Sequence, residues 1–235
     1  MIIGLVGQKQ SGKDTTASLI QNLLPSYEFE NRKFAAKLKE ICSIITGEPI
    51  ECWEDEEFKN SIVYENTKQQ NLTGRELLQF VGTDLFRNQL NIGIWSAALL
   101  HEYINAEKTP NWIITDCRFE DEVTNISTIE KQARIIKIVR PLVGKNYNIT
   151  LEHKTFSDCT IQGVEKDTLY IGTQEEGHFY IPIDDIRLMH ERLGLMHISE
   201  YAVETCSYHY LLINTTLHAL EEQLITLLNK ILNIS

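Results

Sequence analysis

The chain has 235 residues, of which 43% are hydrophobic and 23% charged, a composition that fits one sizeable α/β domain with a true core. A formal net charge of −11, from 22 Lys and Arg against 33 Asp and Glu, argues against a broad nucleic-acid surface and against a polybasic membrane contact. No apolar run approaches the ~20 residues that span a bilayer, and the opening MIIGLVG lacks the basic leader and cleavage site of a signal peptide.

In chain order, Ile2 to Val6 predicts a buried strand, short, apolar and bounded by glycine. Lys13 to Leu24 predicts a helix with an apolar face of Ala17, Leu19, Ile20, Leu23 and Leu24, stopped by Pro25. A second helix is predicted from Phe34 to Thr46, with Gly47 at the C-cap position. Glu48 to Tyr64 is acidic and weakly patterned and reads as a loop with at most a helical turn. Thr73-Gly74-Arg75-Glu76 has capping-box spacing, which predicts a helix from there to about Leu90. Further helices are expected over Ile94 to Glu107 and Phe119 to Lys131. Strands are expected at Trp112 to Thr115, ending in Asp116, and at Ile135 to Val139, ending in Arg140-Pro141. Between Cys159 and Ile183 the pattern turns β-like, with Gln174-Glu175-Glu176-Gly177 as hairpin chemistry, followed by a helix over Asp184 to Leu193. Tyr208 to Ile213 and Leu217 to Leu232 close the chain as strand and amphipathic helix. Strands alternating with helices predict a parallel sheet covered on both faces. The expected fold is one α/β domain over residues 1–235, with a small antiparallel β insert at about 157–184, and the G-x-x-x-x-G-K spacing from Gly7 to Lys13 after the first strand makes the expected class P-loop-type. Five cysteines lie far apart with no CxxC pair, so free thiols in a reducing compartment are expected.

The chemistry is concentrated at the first strand's end. Gly7-Gln8-Lys9-Gln10-Ser11-Gly12-Lys13 fits G-x-x-x-x-G-K between a strand and a helix. Bare glycines let backbone N–H groups line a phosphate, the helix N-terminus adds positive potential, and Lys13 can reach β- and γ-phosphate oxygens. The hydroxyl that normally follows the lysine comes one residue late, at Thr15 rather than at Asp14. Arg75, Arg87, Arg118 and Arg140 fall at the ends of elements. Singly each reads as a surface ion pair; together, beside a phosphate loop, they predict a focused anion pocket.

The loop GQKQSGKDTT resembles that of the phage-type deoxynucleoside monophosphate kinases. So do FAAKLKEI (Phe34 to Ile41), GRELLQFVGTDLFR (Gly74 to Arg87) with Trp95 after it, WIITDCRFEDE (Trp112 to Glu122), IIKIVRP and HISE (His197 to Glu200). The likeness covers most of the chain except Glu48 to Asn71 and the β insert. It implies phosphoryl transfer from ATP with Mg²⁺ to a nucleoside monophosphate. It implies that Gly7, Lys9, Ser11, Gly12, Lys13, Asp14, Thr15, Thr16 and Arg140 hold the ATP phosphates. Lys9, Leu38, Lys39, Arg75, Gly82, Thr83, Trp95 and Asp116 would hold the acceptor. Lys13, Arg118 and Asp116 would be catalytic, and Asp14, Thr15 and Asp116 would serve the metal.

Alternatives stay open at this point. The same loop style occurs in phosphomevalonate kinase, and a non-enzymatic ATP-dependent switch would use the β insert to meet a partner. Arg75 could pair with Glu76 or Glu40, Trp95 could be core, Asp116 could cap a helix, and Ser199 could be only a helix cap. The insert holds acidic residues and no arginine, which favours an interacting or stabilising hairpin over a phosphate-covering lid. A cytoplasmic location, that of a host if the protein is viral, is expected, with neither nucleic acid nor membrane as partner; a homodimer stays open.

Overall fold

A computed structural model of the chain describes residues 1–65, 71–140, 146–151, 154–165, 168–173, 177–182, 202–204 and 206–232. The apolar run at the start forms β1 (Ile2–Val6), all five residues buried, and the loop after it leads into α1 (Lys13–Leu23). A three-residue strand, β2 (Glu30–Arg32), precedes α2 (Ala35–Thr46), which ends at Gly47 in the left-handed conformation (φ 77°). That φ is the one a C-terminal glycine cap supplies.

The acidic stretch expected as a loop is more ordered than its composition suggested. It holds a 3₁₀ turn (Ile50–Glu54), α3 (Glu56–Asn60) and β3 (Ile62–Glu65), the last paired antiparallel with β4 (Asn71–Thr73). The cause is two aromatic anchors within the acidic run. Trp53 is fully buried beside Cys42, Leu77 and Val81, and it meets Phe58 edge-on with centroids 5.3 Å apart. Asp55 caps α3, accepting from the Phe58 N–H at 2.7 Å.

The capping box forms as expected. Thr73 accepts from the Glu76 N–H while the Glu76 carboxylate accepts from the Thr73 N–H, opening α4 (Gly74–Gln79). The helix then widens into a π-helical segment over Phe80–Arg87, a geometry the spacing of apolar residues did not signal. Next come α5 (Ile94–Ile104), β5 (Trp112–Cys117), α6 (Glu120–Ile129) and β6 (Arg134–Val139). Four antiparallel strands follow: β7 (Asn146–Leu151), β8 (Lys154–Glu165), β9 (Thr168–Thr173) and β10 (Gly177–Pro182), in spatial order β10-β9-β8-β7. Strands β9 and β10 pair antiparallel where a hairpin was expected, with Gly177, expected in the turn, opposite Thr173; the antiparallel sheet begins at Asn146, before the expected start of the insert. The chain closes with β11 (Tyr210–Ile213) and α7 (Leu217–Leu232). The helix expected over Asp184 to Leu193, and His197 and Ser199, lie outside the described residues.

Among the described residues the principal sheet has five strands in the order β11-β6-β1-β5-β2; it is mostly parallel and flanked by helices, the P-loop-like α/β architecture expected. Its interior strands are continuous apolar runs, as a sheet covered on both faces requires. Ile2, Ile3, Leu5, Val6, Ile113, Ile114, Ile135, Ile136 and Ile138 are at most 1% exposed. The chain divides into two compact units: Met1–Gly4, Phe29–Cys117 and Asp121–Ala133, and then Leu5–Glu28, Arg118–Glu120 and Arg134–Ser235. Cys42, Cys52, Cys117 and Cys206 are free thiols, as expected, and burial pushes the Cys42 thiol up to about 12. No helix among the described residues is long and apolar enough to cross a membrane.

Candidate functional site

The loop expected to bind phosphate, Gly7 to Lys13, lies in the second unit. Gly12 caps α1 with φ 106°, a left-handed backbone that L side chains avoid. A Cβ there would come within 2.3 Å of Asn214 Nδ2, and one at Gly7 within 2.6 Å of the Ile138 carbonyl oxygen. Both glycines are therefore fixed by close approach. Lys13 is only 7% exposed, and its Nζ donates to the carbonyl oxygens of Gly7 (2.7 Å) and Gln8 (2.6 Å). An anionic oxygen would be a stronger acceptor for this ammonium than either neutral carbonyl. Ser11 is 4% exposed and its Oγ has no hydrogen-bond partner among the described residues. Such an orphaned hydroxyl carries a desolvation cost that a bound oxygen would relieve.

The other loop candidates divide by exposure. Lys9, Asp14 and Thr15 are exposed. Thr16 is fully buried, its hydroxyl donating to the Gly12 carbonyl at 2.9 Å. Arg118 is half-buried, and Arg140 is exposed just past β6.

In the first unit the proposed acceptor residues are partly gathered. The Trp95 indole N–H donates to the Gly82 carbonyl at 2.9 Å, and Trp95 packs against Phe86 with centroids 5.2 Å apart. A Cβ on Gly82 would meet Leu38 Cδ2 at 2.7 Å, so Leu38, Gly82 and Trp95 form one packed group. Gly82 and Thr83 sit in the π-helical segment, a rare geometry that often marks functional positions. Lys39 forms an ion pair with Glu54 at 2.5 Å. Burial acts to raise the Glu54 carboxyl, but the Lys39 bond and charge, with Lys33 and Lys59, outweigh it and hold the group below its ordinary value.

Arg75 pairs with Glu56 (2.7 Å) and reaches Asn60 (3.4 Å), neither of them the partner the sequence suggested. Asp116 is the fifth residue of β5. Its Oδ1 accepts from the Phe34 N–H and its Oδ2 from the Ala35 N–H, both at 2.9 Å. It thus caps a helix, and the helix is α2 rather than the one that follows it in sequence. Anions at helix N-termini are favoured by the local dipole. Arg87 does not belong to an anion pocket as expected: it is 5% exposed, and its guanidinium is bonded to Asp121 and Glu122 at 2.7 Å each. A buried guanidinium needs such pairing to offset its desolvation.

Sequence reasoning missed Asn214. Its Nδ2 donates to the Ser11 carbonyl at 2.9 Å from 203 residues away. The available signal was its position, a polar residue directly after a strand of a parallel sheet, where such folds build their sites.

Comparison with known proteins bears on the whole arrangement. A family model described as deoxynucleotide monophosphate kinase matches residues 42–165, just over half of the chain, from α2 into β8. The match includes the 48–71 stretch, where the sequence alone showed no likeness. A candidate deoxynucleotide monophosphate kinase of Acanthamoeba polyphaga mimivirus is 32% identical over 159 residues, 62% of this chain and 77% of the relative.

Proposed function

The chain belongs to the deoxynucleotide monophosphate kinase family, and from that premise we propose that it moves the γ-phosphoryl group of ATP onto a deoxynucleoside monophosphate, giving the diphosphate. Phosphoryl transfer between two anions needs positioning and charge neutralisation more than covalent chemistry. The observation that carries the reading is the loop: Lys13 buried against the Gly7 and Gln8 carbonyls, beside the left-handed Gly12. On donor binding, Lys13 Nζ exchanges two neutral acceptors for phosphate oxygens, and Ser11 Oγ gains the partner it lacks. Mg²⁺ would neutralise charge on the β- and γ-phosphate oxygens. Thr15 and Asp14, exposed at the start of α1, suit that role better than Asp116, whose two oxygens already hold α2.

On the acceptor side, Leu38 and Trp95 supply apolar wall area for a base, and the absence of a side chain at Gly82 sets their spacing. Arg75 grips the monophosphate. Its present pair with Glu56 is an exposed one of ~0–1 kcal/mol, so releasing it costs little. Arg118 and Arg140 neutralise charge on the transferred group.

The test is a panel of ribo- and deoxyribonucleoside monophosphates, with phosphomevalonate included, incubated with ATP and Mg²⁺ while ADP is measured. ADP should appear only with a deoxynucleoside monophosphate. Arg75→Ala should then raise the acceptor KM by about tenfold or more, and Arg75→Lys should not restore it, because a point charge lacks the bidentate fork. ADP formation with phosphomevalonate alone, or independent of any acceptor, would contradict the reading.

A further inference from the structure

The end of β11 reaches into the phosphate loop through a chain of side-chain amides. Among the described residues β11 is an edge strand, with no strand paired on the outward side of Ile213. Gln223 of α7 takes that place: its Oε1 accepts from the Ile213 N–H (3.0 Å) and its Nε2 donates to the Ile213 carbonyl (2.9 Å). The same Nε2 donates to the Ala219 carbonyl at 3.0 Å, which ties the amide to its own helix. The next residue, Asn214, is 9% exposed, and its backbone N–H donates to the Val139 carbonyl at 2.8 Å. Its side-chain Nδ2 donates to the Ser11 carbonyl and occupies the space that a Cβ on Gly12 would need. The acceptor is a carbonyl oxygen, so the amide can present only its NH₂ there, and the orientation is unambiguous.

We propose that Asn214 is a positioning residue for the phosphate loop and that Gln223 holds Asn214 in register. With the Ser11 carbonyl fixed outward by Asn214, the peptide between Ser11 and Gly12 keeps its N–H on the opposite side, where the loop's donors converge. The left-handed turn at Gly12 is held by the same amide. Asn214 acts through the backbone of residues 11 and 12. The inference rests on the reading of the loop as the donor-phosphate site.

The experiment is calorimetric titration of the full chain with ADP and Mg²⁺, and separately with each of the four deoxynucleoside monophosphates. The variants are Asn214→Ala, Asn214→Leu, Gln223→Met and Lys13→Ala. Loss of one buried hydrogen bond that orders a loop should weaken ADP binding about fivefold or more in both Asn214 variants, and less in Gln223→Met. Monophosphate affinity should stay within about twofold, a split that a general loss of folded protein would not produce. Should Asn214→Leu fail to fold, Asn214→Ala and Gln223→Met carry the comparison. Unchanged ADP affinity in the folded Asn214 variants, with Lys13→Ala weakened, would overturn the positioning role while leaving the loop assignment standing. Unchanged ADP affinity in Lys13→Ala would overturn the loop assignment and this inference with it.

Discussion

Lys13 and Asp116 illustrate how a residue's partners decide what its removal should do. Lys13 Nζ donates to the neutral carbonyls of Gly7 and Gln8, which are weaker acceptors than a phosphate oxygen. Lys13→Ala should therefore keep the fold and lower kcat by about 10²-fold or more, the usual scale for losing a preorganised charge at a developing anion. Near-normal turnover would contradict its role. Asp116 is different because both carboxylate oxygens are committed to the first N–H groups of α2. Asp116→Ala should loosen α2 and, through Leu38, raise the acceptor KM. It should also lower stability by ~1 kcal/mol, the scale of a lost helix cap. If Asp116→Ala instead abolished turnover with acceptor KM and melting unchanged, a direct metal or catalytic role would replace the clamp. The sequence placed Asp116 at the end of an apolar strand and could not show which helix it caps, because its two donors lie more than eighty residues earlier.

The same distinction between local and distant causes runs through the elements. The capping box was legible because Thr73 and Glu76 are three residues apart and answer each other. The Glu76 carboxyl is held below its ordinary 4.5 by the Thr73 backbone N–H, then by the Thr73 hydroxyl. A carboxyl lowered on folding adds stability that is present above its unfolded pKa and is lost as pH falls through the folded value. Thr73→Ala should lower stability by ~1 kcal/mol at pH 7. The Tm difference between the wild type and Glu76→Gln should be present at pH 7 and shrink below about pH 4.5; a constant difference in scanning calorimetry would show that Glu76 contributes packing alone. Elements with a strong period, α1, α2 and α7 above all, lie within a residue or two of where periodicity put them. β2 escaped notice because Glu30, Asn31 and Arg32 form a charged edge strand, whose pairing with β5 leaves no apolar alternation. The 3₁₀ turn, α3 and β3 escaped because Trp53 orders them through Cys42, Leu77 and Val81, contacts invisible to a local pattern. The π-helical segment likewise has no sequence period of its own.

For the whole molecule, the candidate phosphate loop could be proposed from sequence because its motif is compressed into seven residues, whereas Asn214 and Gln223, which bond to that loop or to the strand beside it, belong to the opposite end of the chain. With a net charge of −11, an anionic substrate would bind against the general field, so under the proposed function local cations such as Lys13 and Arg75 would supply the attraction. The most direct measurement of the central claim follows the phosphoryl group itself. The protein is given ATP labelled at the γ-phosphorus, Mg²⁺ and one deoxynucleoside monophosphate at a time, and the products are separated. The account predicts label in the deoxynucleoside diphosphate, in equal amount to the ADP formed, and almost none in inorganic phosphate when the acceptor is left out. Label released as inorganic phosphate regardless of acceptor, or no transfer to any deoxynucleoside monophosphate, would contradict it.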